Sequence, residues 1–307
     1  MKGSFEMTIA NQKVLAAIKQ TTDLWRASDE KRDAGLPTTF SDVTRFDNLS
    51  YGPAESENLL DIYTPKDTAK TVPTIINIHG GGNVYGSKEL YQHYCLGWAQ
   101  AGFGVVNFNY RLAPKTPFPG ALQDTDLVLK WLVEHDKKYR LDLNNVFIVG
   151  DSAGGTLAEQ YLTAYTNPDY RQALKLGERP KLTIRGGGLN SGFYFIKRSG
   201  AVTADSLMAA YYTPGVMKHY DRELNTAEFI TTAFPPVYVM TATNDFLRDE
   251  GVRLDQFLLD HKLAHQFKIY GTEQDPRENV FQLNQRDAIA AEANHDEAEF
   301  FRGLVKR

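Results

Sequence analysis

A serine among small residues offers the clearest chemistry in the sequence. Ser152 lies in the hexapeptide Gly150-Asp151-Ser152-Ala153-Gly154-Gly155, directly after an apolar run and before a stretch with helical character. A serine on a sharp strand-to-helix turn exposes its hydroxyl as a nucleophile, and glycines beside it remove side chains that would clash. The pattern therefore predicts acyl transfer at Ser152, whereas a glycine-rich turn without chemistry is the structural alternative.

A second glycine-rich segment supplies the complementary part of that chemistry. His79-Gly80-Gly81-Gly82 follows an apolar run that ends at Ile78. Acyl transfer builds negative charge on a carbonyl oxygen, and backbone N–H groups at glycines can approach and stabilise it. A phosphate loop is the alternative, but the glycine spacing fits neither phosphate-binding pattern. The segment predicts an oxyanion hole that is completed by the N–H of Ala153, one residue past the nucleophile. His79 is predicted to orient this loop.

An acidic residue follows in the order that a serine triad on this kind of sheet requires. Asp245 lies in the loop after the apolar run 237–242, well downstream of Ser152. The competing carboxylate is Asp249, which begins a helical stretch, where an acid in the first turn is common. We therefore predict that Asp245 is the catalytic acid.

Alternating strands and helices must position these residues. Short apolar runs predict strands at 40–46, 59–64, 75–78, 104–110, 146–150, 182–184, 237–242 and 266–270. Helices are predicted at 7–28, from an N-cap at Ser87 to Ala101, and at 122–138, 153–165, 250–262 and 288–301. Regular alternation predicts an α/β fold with a mostly parallel central sheet that is flanked by helices.

Two segments interrupt the alternation. Residues 1–38 precede the first strand, and residues 190–234 are rich in Phe, Tyr and Met. We predict one α/β domain over 39–307, and a helical cap that is formed by the separate N-terminal segment 1–38 and by an insertion of the domain around 190–234. The aromatic part from Phe193 to Tyr220 is predicted to roof the pocket. The alternative is that these two segments only pack against the flank of the sheet.

The composition of the chain limits the kinds of molecule that it could bind and the compartment that it could occupy. The 307 residues have a net charge of −4 and no cluster of Lys and Arg, which argues against nucleic acid. The single cysteine, Cys95, excludes an internal disulfide and fits a reducing compartment. Neither a membrane-length apolar run nor a secretory pattern is present, so we predict a cytoplasmic protein. No cofactor or metal is expected, and a homodimer is compatible with the sequence.

Taken together, the motifs resemble the bacterial hormone-sensitive-lipase-like carboxylesterases of the α/β-hydrolase superfamily. The resemblance also covers 109–114 (Asn-Tyr-Arg-Leu-Ala-Pro), 118–121 (Phe-Pro-Gly-Ala) and the acid loop 245–251. It implies an α/β-hydrolase fold, a small-molecule ester substrate and hydrolysis of short acyl esters. It also implies that Gly81, Gly82 and Ala153 donate the oxyanion hydrogen bonds.

The sequence departs from that family at two positions. Asn83 follows the glycines where the family has a bulky residue, and Asn279 stands where the family has the base histidine. Asparagine cannot accept the serine proton near neutral pH, although it can hydrogen-bond to Ser152 and Asp245. An engineered substitution, a natural non-catalytic relative such as the plant gibberellin receptors, and a misaligned loop are the three explanations.

These departures leave more than one function open. The sequence favours a carboxylesterase whose activity is impaired, with a non-catalytic small-molecule-binding protein as the alternative and a peptidase as a weaker third. Other histidines could replace the base only if the fold brought them to Ser152. His261, His265 and His295 are instead predicted to be ordinary surface residues.

Overall fold

The strands and helices of the protein alternate along most of the chain. A computed structural model describes residues 9–66, 70–199, 202–203 and 206–306. Within these ranges the strands are β1 (Val43–Ser50), β2 (Leu59–Pro65), β3 (Val72–Ile78), β4 (Gly104–Phe108), β5 (Leu141–Asp151), β6 (Ile184–Asn190), β7 (Val237–Ala242) and β8 (His265–Tyr270). The α-helices are α1 (Ile9–Asp33), α2 (Gln92–Gln100), α3 (Gly120–Tyr139), α4 (Ala153–Thr166), α5 (Pro168–Ala173), α6 (Ile196–Ser199), α7 (Pro214–His219), α8 (Arg248–Asp260) and α9 (Ala288–Leu304).

The strands form one sheet in the order β1-β2-β4-β3-β5-β6-β7-β8. β1 and β2 pair antiparallel, and β2 is antiparallel to β4. All pairs from β4 through β3 to β8 are parallel. The carboxyl ends of the central parallel strands therefore share one edge, where ligands bind in such sheets. The predicted mostly parallel sheet is confirmed.

Helices cover both faces of the sheet. Ile76 of β3 lies in a buried cluster that includes residues of α3, α4 and α8. Its neighbour Ile75 lies in a second cluster with residues of α2 and α9. Successive side chains of a strand point to opposite faces, so a strand that is covered on both sides must be apolar throughout. This requirement explains why the central strands have continuous apolar runs instead of alternating ones.

Several predicted boundaries differ from those in the structure, and for β6 and α2 the physical reason is visible. β6 was predicted at 182–184 but runs from Ile184 to Asn190, through three glycines. A Cβ atom at Gly188 would lie 1.8 Å from Oε1 of Glu297, so the glycine makes room for a buried side chain of α9. Helix α2 begins at Gln92, and Ser87 instead accepts a 3.4 Å hydrogen bond from the N–H of Leu90 in a turn before the helix.

Of the two segments outside the alternation, the first is mostly one long helix and the described part of the insertion contains only short helical pieces. α1 belongs to the first, and the insertion carries α6, a 3₁₀ turn at Leu207–Ala210 and α7. The predicted cap also included residues 1–8, 200–201 and 204–205, which lie outside the described residues. Among the helices that the structure describes, none combines the length and apolar character needed to span a membrane.

Candidate active site

Ser152 occupies a strained turn at the edge of the sheet. β5 ends at Asp151 and α4 begins at Ala153, and between them Ser152 has φ of 51° and ψ of −119°. Its N–H donates a 2.8 Å hydrogen bond to the carbonyl of Asn190 at the end of β6. Few residues other than glycine adopt this backbone region, and such strain concentrates at functional sites. The predicted strained strand-to-helix turn at Ser152 is therefore present.

Glycines allow this turn to pack tightly. A Cβ atom at Gly150 would lie 2.2 Å from the carbonyl oxygen of Gly154. A Cβ atom at Gly154 would lie 2.0 Å from the carbonyl oxygen of Ile78, the last residue of β3. The first glycine thus allows the chain to turn, and the second lets α4 approach the strand that leads into the glycine loop.

The loop after β3 has positive φ angles, which glycine adopts most easily. Gly81 has φ of 103° and Gly82 has φ of 60°. A Cβ atom at Gly81 would lie 2.3 Å from the carbonyl oxygen of Tyr85, because the loop folds back on itself there. The N–H groups of Val84 and Tyr85 both donate to the carbonyl of Gly81, at 3.1 and 3.0 Å. The loop is therefore closed and ordered beside the Ser152 turn.

His79 is a buried part of this loop. Its ring stacks on that of Tyr110 at a centroid distance of 4.1 Å, and its Nδ1 lies 2.8 Å from the carbonyl oxygen of Gly80. Burial lowers the pKa of His79 to about 4, so the ring is neutral at pH 7. A neutral ring whose Nδ1 carries the proton donates to Gly80. This geometry agrees with the prediction that His79 orients the loop.

A buried tyrosine connects the loop to the residue before the serine. The N–H of Gly80 donates a 2.8 Å hydrogen bond to the hydroxyl of Tyr91, which donates at 2.8 Å to Oδ2 of Asp151. Burial raises the pKa of Asp151 to about 7. Tyr91 could not be identified from the sequence, because no spacing rule relates it to the motifs. The only available signal was the acid next to Ser152 in the hexapeptide.

Asp245 is held rigidly in the loop after β7. Its Oδ2 accepts from the hydroxyl of Thr241 at 2.8 Å, and its Oδ1 accepts from the N–H of Leu247 at 2.8 Å. The Nδ2 of Asn279 donates to the same Oδ1 at 2.9 Å. Asp249, the competing carboxylate, lies in the first turn of α8. Of the two acids, Asp245 is therefore the one that contacts the third predicted residue.

The loop that carries Asn279 is tied to the loop of Asp245. The N–H of Asn244 donates to the carbonyl of Arg277 at 2.9 Å, and the N–H of Arg277 donates to the hydroxyl of Thr243 at 3.2 Å. These bonds fix the chain just before Asn279. The predicted contact between Asn279 and Asp245 is therefore formed, and the predicted contact between Asn279 and Ser152 stays a prediction.

His261 and His265 contact residues of α8 and of the loop before β8. His261 caps α8 and its Nδ1 lies 2.8 Å from the carbonyl oxygen of Phe257. His265 was predicted to be a surface residue, but its side chain is only 7% exposed and pairs with Asp255 at 2.9 Å. This correction follows from the packing of β8 against α8. Both rings are bound to elements away from the Ser152 turn.

Both segments that were predicted to form the cap contact the glycine loop. A Cβ atom at Gly82 would lie 3.0 Å from Cδ2 of Leu207 in the insertion and 3.6 Å from Cη2 of Trp25 in α1. The hydroxyl of Tyr85, at the end of the loop, donates to Oδ2 of Asp29 at 2.9 Å. The loop is therefore covered by residues from both segments.

Comparison with known proteins agrees with this geometry. The family described as alpha/beta hydrolase fold matches residues 75–274. Esterase LipI of Mycobacterium tuberculosis is 29% identical over 206 residues, 61% of this chain and 59% of LipI. The hormone-sensitive lipase of Ictidomys tridecemlineatus is 33% identical over 94 residues, 30% of this chain and 12% of the lipase. The chain thus spans less than two thirds of either curated relative.

A solved structure extends the likeness to nearly the whole chain. Esterase B of Lactobacillus rhamnosis HN001 is 25% identical with a TM-score of 0.85, and the match covers 95% of each chain. The fold of the two proteins therefore agrees over nearly the whole length of each chain. The chain belongs to the α/β-hydrolase fold family, and its predicted resemblance to the hormone-sensitive-lipase-like esterases is confirmed.

Proposed function

We propose that the protein is a serine carboxylesterase for short acyl esters whose turnover is limited by the absence of a base histidine. Ser152 is the nucleophile, Gly81, Gly82 and Ala153 donate to the oxyanion, and Asp245 is the acid. The hydrogen bond from Asn279 to Asp245 carries the proposal, because a triad histidine forms the equivalent contact with its acid. The esterases among its relatives make a small ester the natural substrate class.

The proposed mechanism begins at the strained turn. The Ser152 oxygen attacks the ester carbonyl while its proton passes to water, the ester C–O bond then breaks to release the alcohol, and a water molecule hydrolyses the acyl group from Ser152. At each attack the carbonyl oxygen gains negative charge. The N–H of Ala153 at the start of α4 and those of the glycine loop then stabilise that charge, together with the positive end of the helix. Closure of the loop in advance means that these donors need little reorganisation during the reaction.

Transfer of the Ser152 proton is the step of this mechanism that lacks a catalytic group. A histidine would take the proton from the serine and return it to the leaving alcohol, whereas the amide of Asn279 does not titrate near pH 7. His79 cannot substitute, because it is buried within the loop and its pKa is lowered to about 4. Loss of the base in serine triads reduces kcat by about 10⁴ to 10⁶-fold. We therefore expect slow turnover by the protein as it stands.

The cap is part of the same proposal. Residues 1–38 and 190–234 would enclose the pocket above Ser152, with Leu207 and Trp25 as the side chains nearest to Gly82. Pockets for small molecules are mostly apolar with a few polar groups, which suits this aromatic insertion. Cytoplasmic location and a homodimer remain predictions, to be tested by fractionation and by light scattering.

A binding protein is the second candidate. Asn279 donates to Asp245 and so keeps that carboxylate satisfied, which preserves the shape of the site without its proton chemistry. In this function the pocket would retain a small molecule that is not hydrolysed. The two candidates differ in whether an ester carbonyl sits against Ser152.

A histidine at residue 279 distinguishes the esterase from the binding protein. We expect Asn279→His to raise the hydrolysis of phenyl acetate by about 10⁴-fold or more over the parent protein. Ser152→Ala in the same background is the blank, and Asn144→His places the same new ring at an exposed residue of β5 as a control. A histidine variant that remains at the rate of the blank favours the binding protein. Fast turnover by the parent, lost in Ser152→Ala, would mean that another residue is the base.

A further inference from the structure

Helix α1 contacts the glycine loop through one of its faces. Trp25 and Asp29 lie one turn apart in α1, so their side chains project from the same side of the helix. The ring centroids of Trp25 and Tyr85 are 5.8 Å apart, and Oδ2 of Asp29 accepts a 2.9 Å hydrogen bond from the Tyr85 hydroxyl. Two side chains of the N-terminal segment therefore hold Tyr85.

The backbone of the same tyrosine closes the glycine loop. The N–H of Tyr85 donates to the carbonyl of Gly81 at 3.0 Å, and the N–H of Val84 donates to that carbonyl at 3.1 Å. Gly81 and Gly82 both have positive φ, and glycine has more conformational freedom to lose than any other residue. A loop of this composition therefore depends on contacts from outside the loop to remain closed.

The end of α1 that contacts Tyr85 is itself fixed. Arg32, one turn after Asp29, donates to Oδ1 of Asp29 at 2.8 Å, which leaves Oδ2 directed to the tyrosine. Arg286, in the loop before α9, donates to the backbone carbonyls of Arg32 and Ala34. The carboxylate of Asp29 is thus oriented by its neighbour, and the helix end is attached to the hydrolase domain.

We propose that Tyr85 is a positioning residue through which α1 keeps the glycine loop closed. The hydrogen bond to Asp29 fixes the tyrosine side chain, and the fixed residue keeps its N–H on the carbonyl of Gly81. The orientation of the Gly81 and Gly82 N–H groups then depends on α1. The consequence for catalysis rests on the proposed function, in which these groups are oxyanion donors, whereas the consequence for loop closure does not.

A contact that only attaches α1 to the domain would behave differently. In that case, loss of the Tyr85 hydroxyl would lower the free energy of unfolding, but the glycine loop would remain closed in the folded protein. In the proposed role, the same loss opens the loop locally while the sheet keeps its protection. Local and global opening are distinguished by the exchange rates of individual amides.

Amide hydrogen exchange of the parent protein tests loop closure without any turnover. Tyr85→Phe removes the hydroxyl and keeps the ring against Trp25, and Asp29→Ala removes the acceptor. We expect the amides of Val84 and Tyr85 or its replacement to exchange about tenfold faster in either variant, because the lost hydrogen bond shifts local opening by about that factor. Amides of β5 should keep their parental rates. Nuclear magnetic resonance resolves these amides individually.

Tyr165→Phe is the matched control. The Tyr165 hydroxyl donates to the carbonyl of Leu182 at 2.6 Å, at the far end of α4 from Ser152, so its loss should leave the amides of the glycine loop at their parental rates. The double variant of Tyr85 and Asp29 should exchange no faster than the single ones, because both remove the same bond. Parental exchange of the loop in Tyr85→Phe, additive effects in the double variant, or equal acceleration in β5 would overturn the proposal.

Kinetics in the Asn279→His background test the consequence for catalysis. Adding Tyr85→Phe should lower kcat for phenyl acetate about tenfold with little change in KM, because oxyanion donors act in the transition state. Tyr165→Phe should leave both constants unchanged. If Asn279→His does not hydrolyse phenyl acetate, the proposed function fails, and the exchange rates still decide whether α1 closes the loop. Faster loop exchange with unchanged kcat in an active Asn279→His background would contradict the role of Tyr85 in positioning the donors.

Discussion

Asn279 donates a 2.9 Å hydrogen bond from Nδ2 to Oδ1 of Asp245. The two residues come from different loops, after β8 and after β7, and backbone hydrogen bonds hold these loops together. An imidazole in place of the Asn279 amide would find an oriented acceptor, which fixes the tautomer that a base requires. In the proposed mechanism, these contacts would support a base histidine at residue 279.

The histidine variant should show the pH dependence of a free base. In Asn279→His, kcat/KM for phenyl acetate should rise with pH through about 6.5 and then level off, because only neutral imidazole accepts the serine proton. The parent should show no such step. A pH–rate profile of both proteins measures it, and a profile of Asn279→His that is flat from pH 5 to about 8 would contradict a role for the new ring as base.

Backbone strain at Ser152 should be measurable as a difference in the free energy of unfolding between two variants. Ser152 has φ of 51° and ψ of −119°, which costs an ordinary residue about 1–3 kcal/mol and glycine almost nothing. Glycine also loses more chain entropy on folding, so the effects partly cancel. We expect Ser152→Gly to be more stable than Ser152→Ala by about 1 kcal/mol in urea denaturation. Equal stability of the two variants would show that the turn is not strained.

The glycine loop should tolerate no side chain at its turn. Gly81→Ala forces a Cβ atom to within 2.3 Å of the Tyr85 carbonyl at φ of 103°. In the Asn279→His background we expect kcat to fall about 10² to 10³-fold, because the displaced loop loses an oxyanion donor. Gly35→Ala is the control, since Gly35 has φ of 74° but open space around it. Similar losses in both variants would point to general backbone strain instead.

Sequence reasoning succeeded where the determining contacts are local. The run of residues from β5 through Ser152 into α4 is contiguous, and its glycines have steric roles that the sequence alone reveals. Asp245 followed from chain order and from the loop after β7. Strand and helix types were recovered wherever the apolar runs were long, because burial on both faces leaves a strong compositional pattern.

Tertiary packing determined what the sequence did not reveal. β6 contains three glycines, which argue against a strand until Glu297 of α9 is seen to occupy the space beside Gly188. Tyr91 lies far from both motifs in sequence, and only the fold brings its hydroxyl between Gly80 and Asp151. Such contacts between distant segments have no periodicity and no spacing rule, so they could not be predicted from one sequence.

Glu297 is a buried acid whose titration should affect the free energy of unfolding. Its side chain is fully buried, and both carboxyl oxygens accept from Nδ2 of Asn190, at 3.2 and 3.3 Å. Asn190 in turn accepts the N–H of Ser152 through its carbonyl. Burial raises the pKa of Glu297 from 4.5 to about 8. The folded protein therefore keeps a proton on Glu297 over a pH range in which the unfolded chain has lost it.

This difference in protonation determines the direction in which the free energy of unfolding changes with pH. Between pH 4.5 and about 8, Glu297 keeps a proton in the folded state that it has lost in the unfolded state, so its contribution to the free energy of unfolding falls as pH rises through this range and levels off above it. Glu297→Gln keeps an acceptor for Asn190 but cannot titrate, so its free energy of unfolding should fall less steeply, by up to about 1.4 kcal/mol per pH unit.

Urea denaturation of parent and variant at several pH values measures the two slopes, and the difference between them removes the titration of every other group. Glu299→Gln, an exposed acid of the same helix, should leave the parental slope unchanged. Parallel lines for the parent and Glu297→Gln would mean that Glu297 is ionised in the folded protein, and that the hydrogen bonds from Asn190 offset the effect of burial.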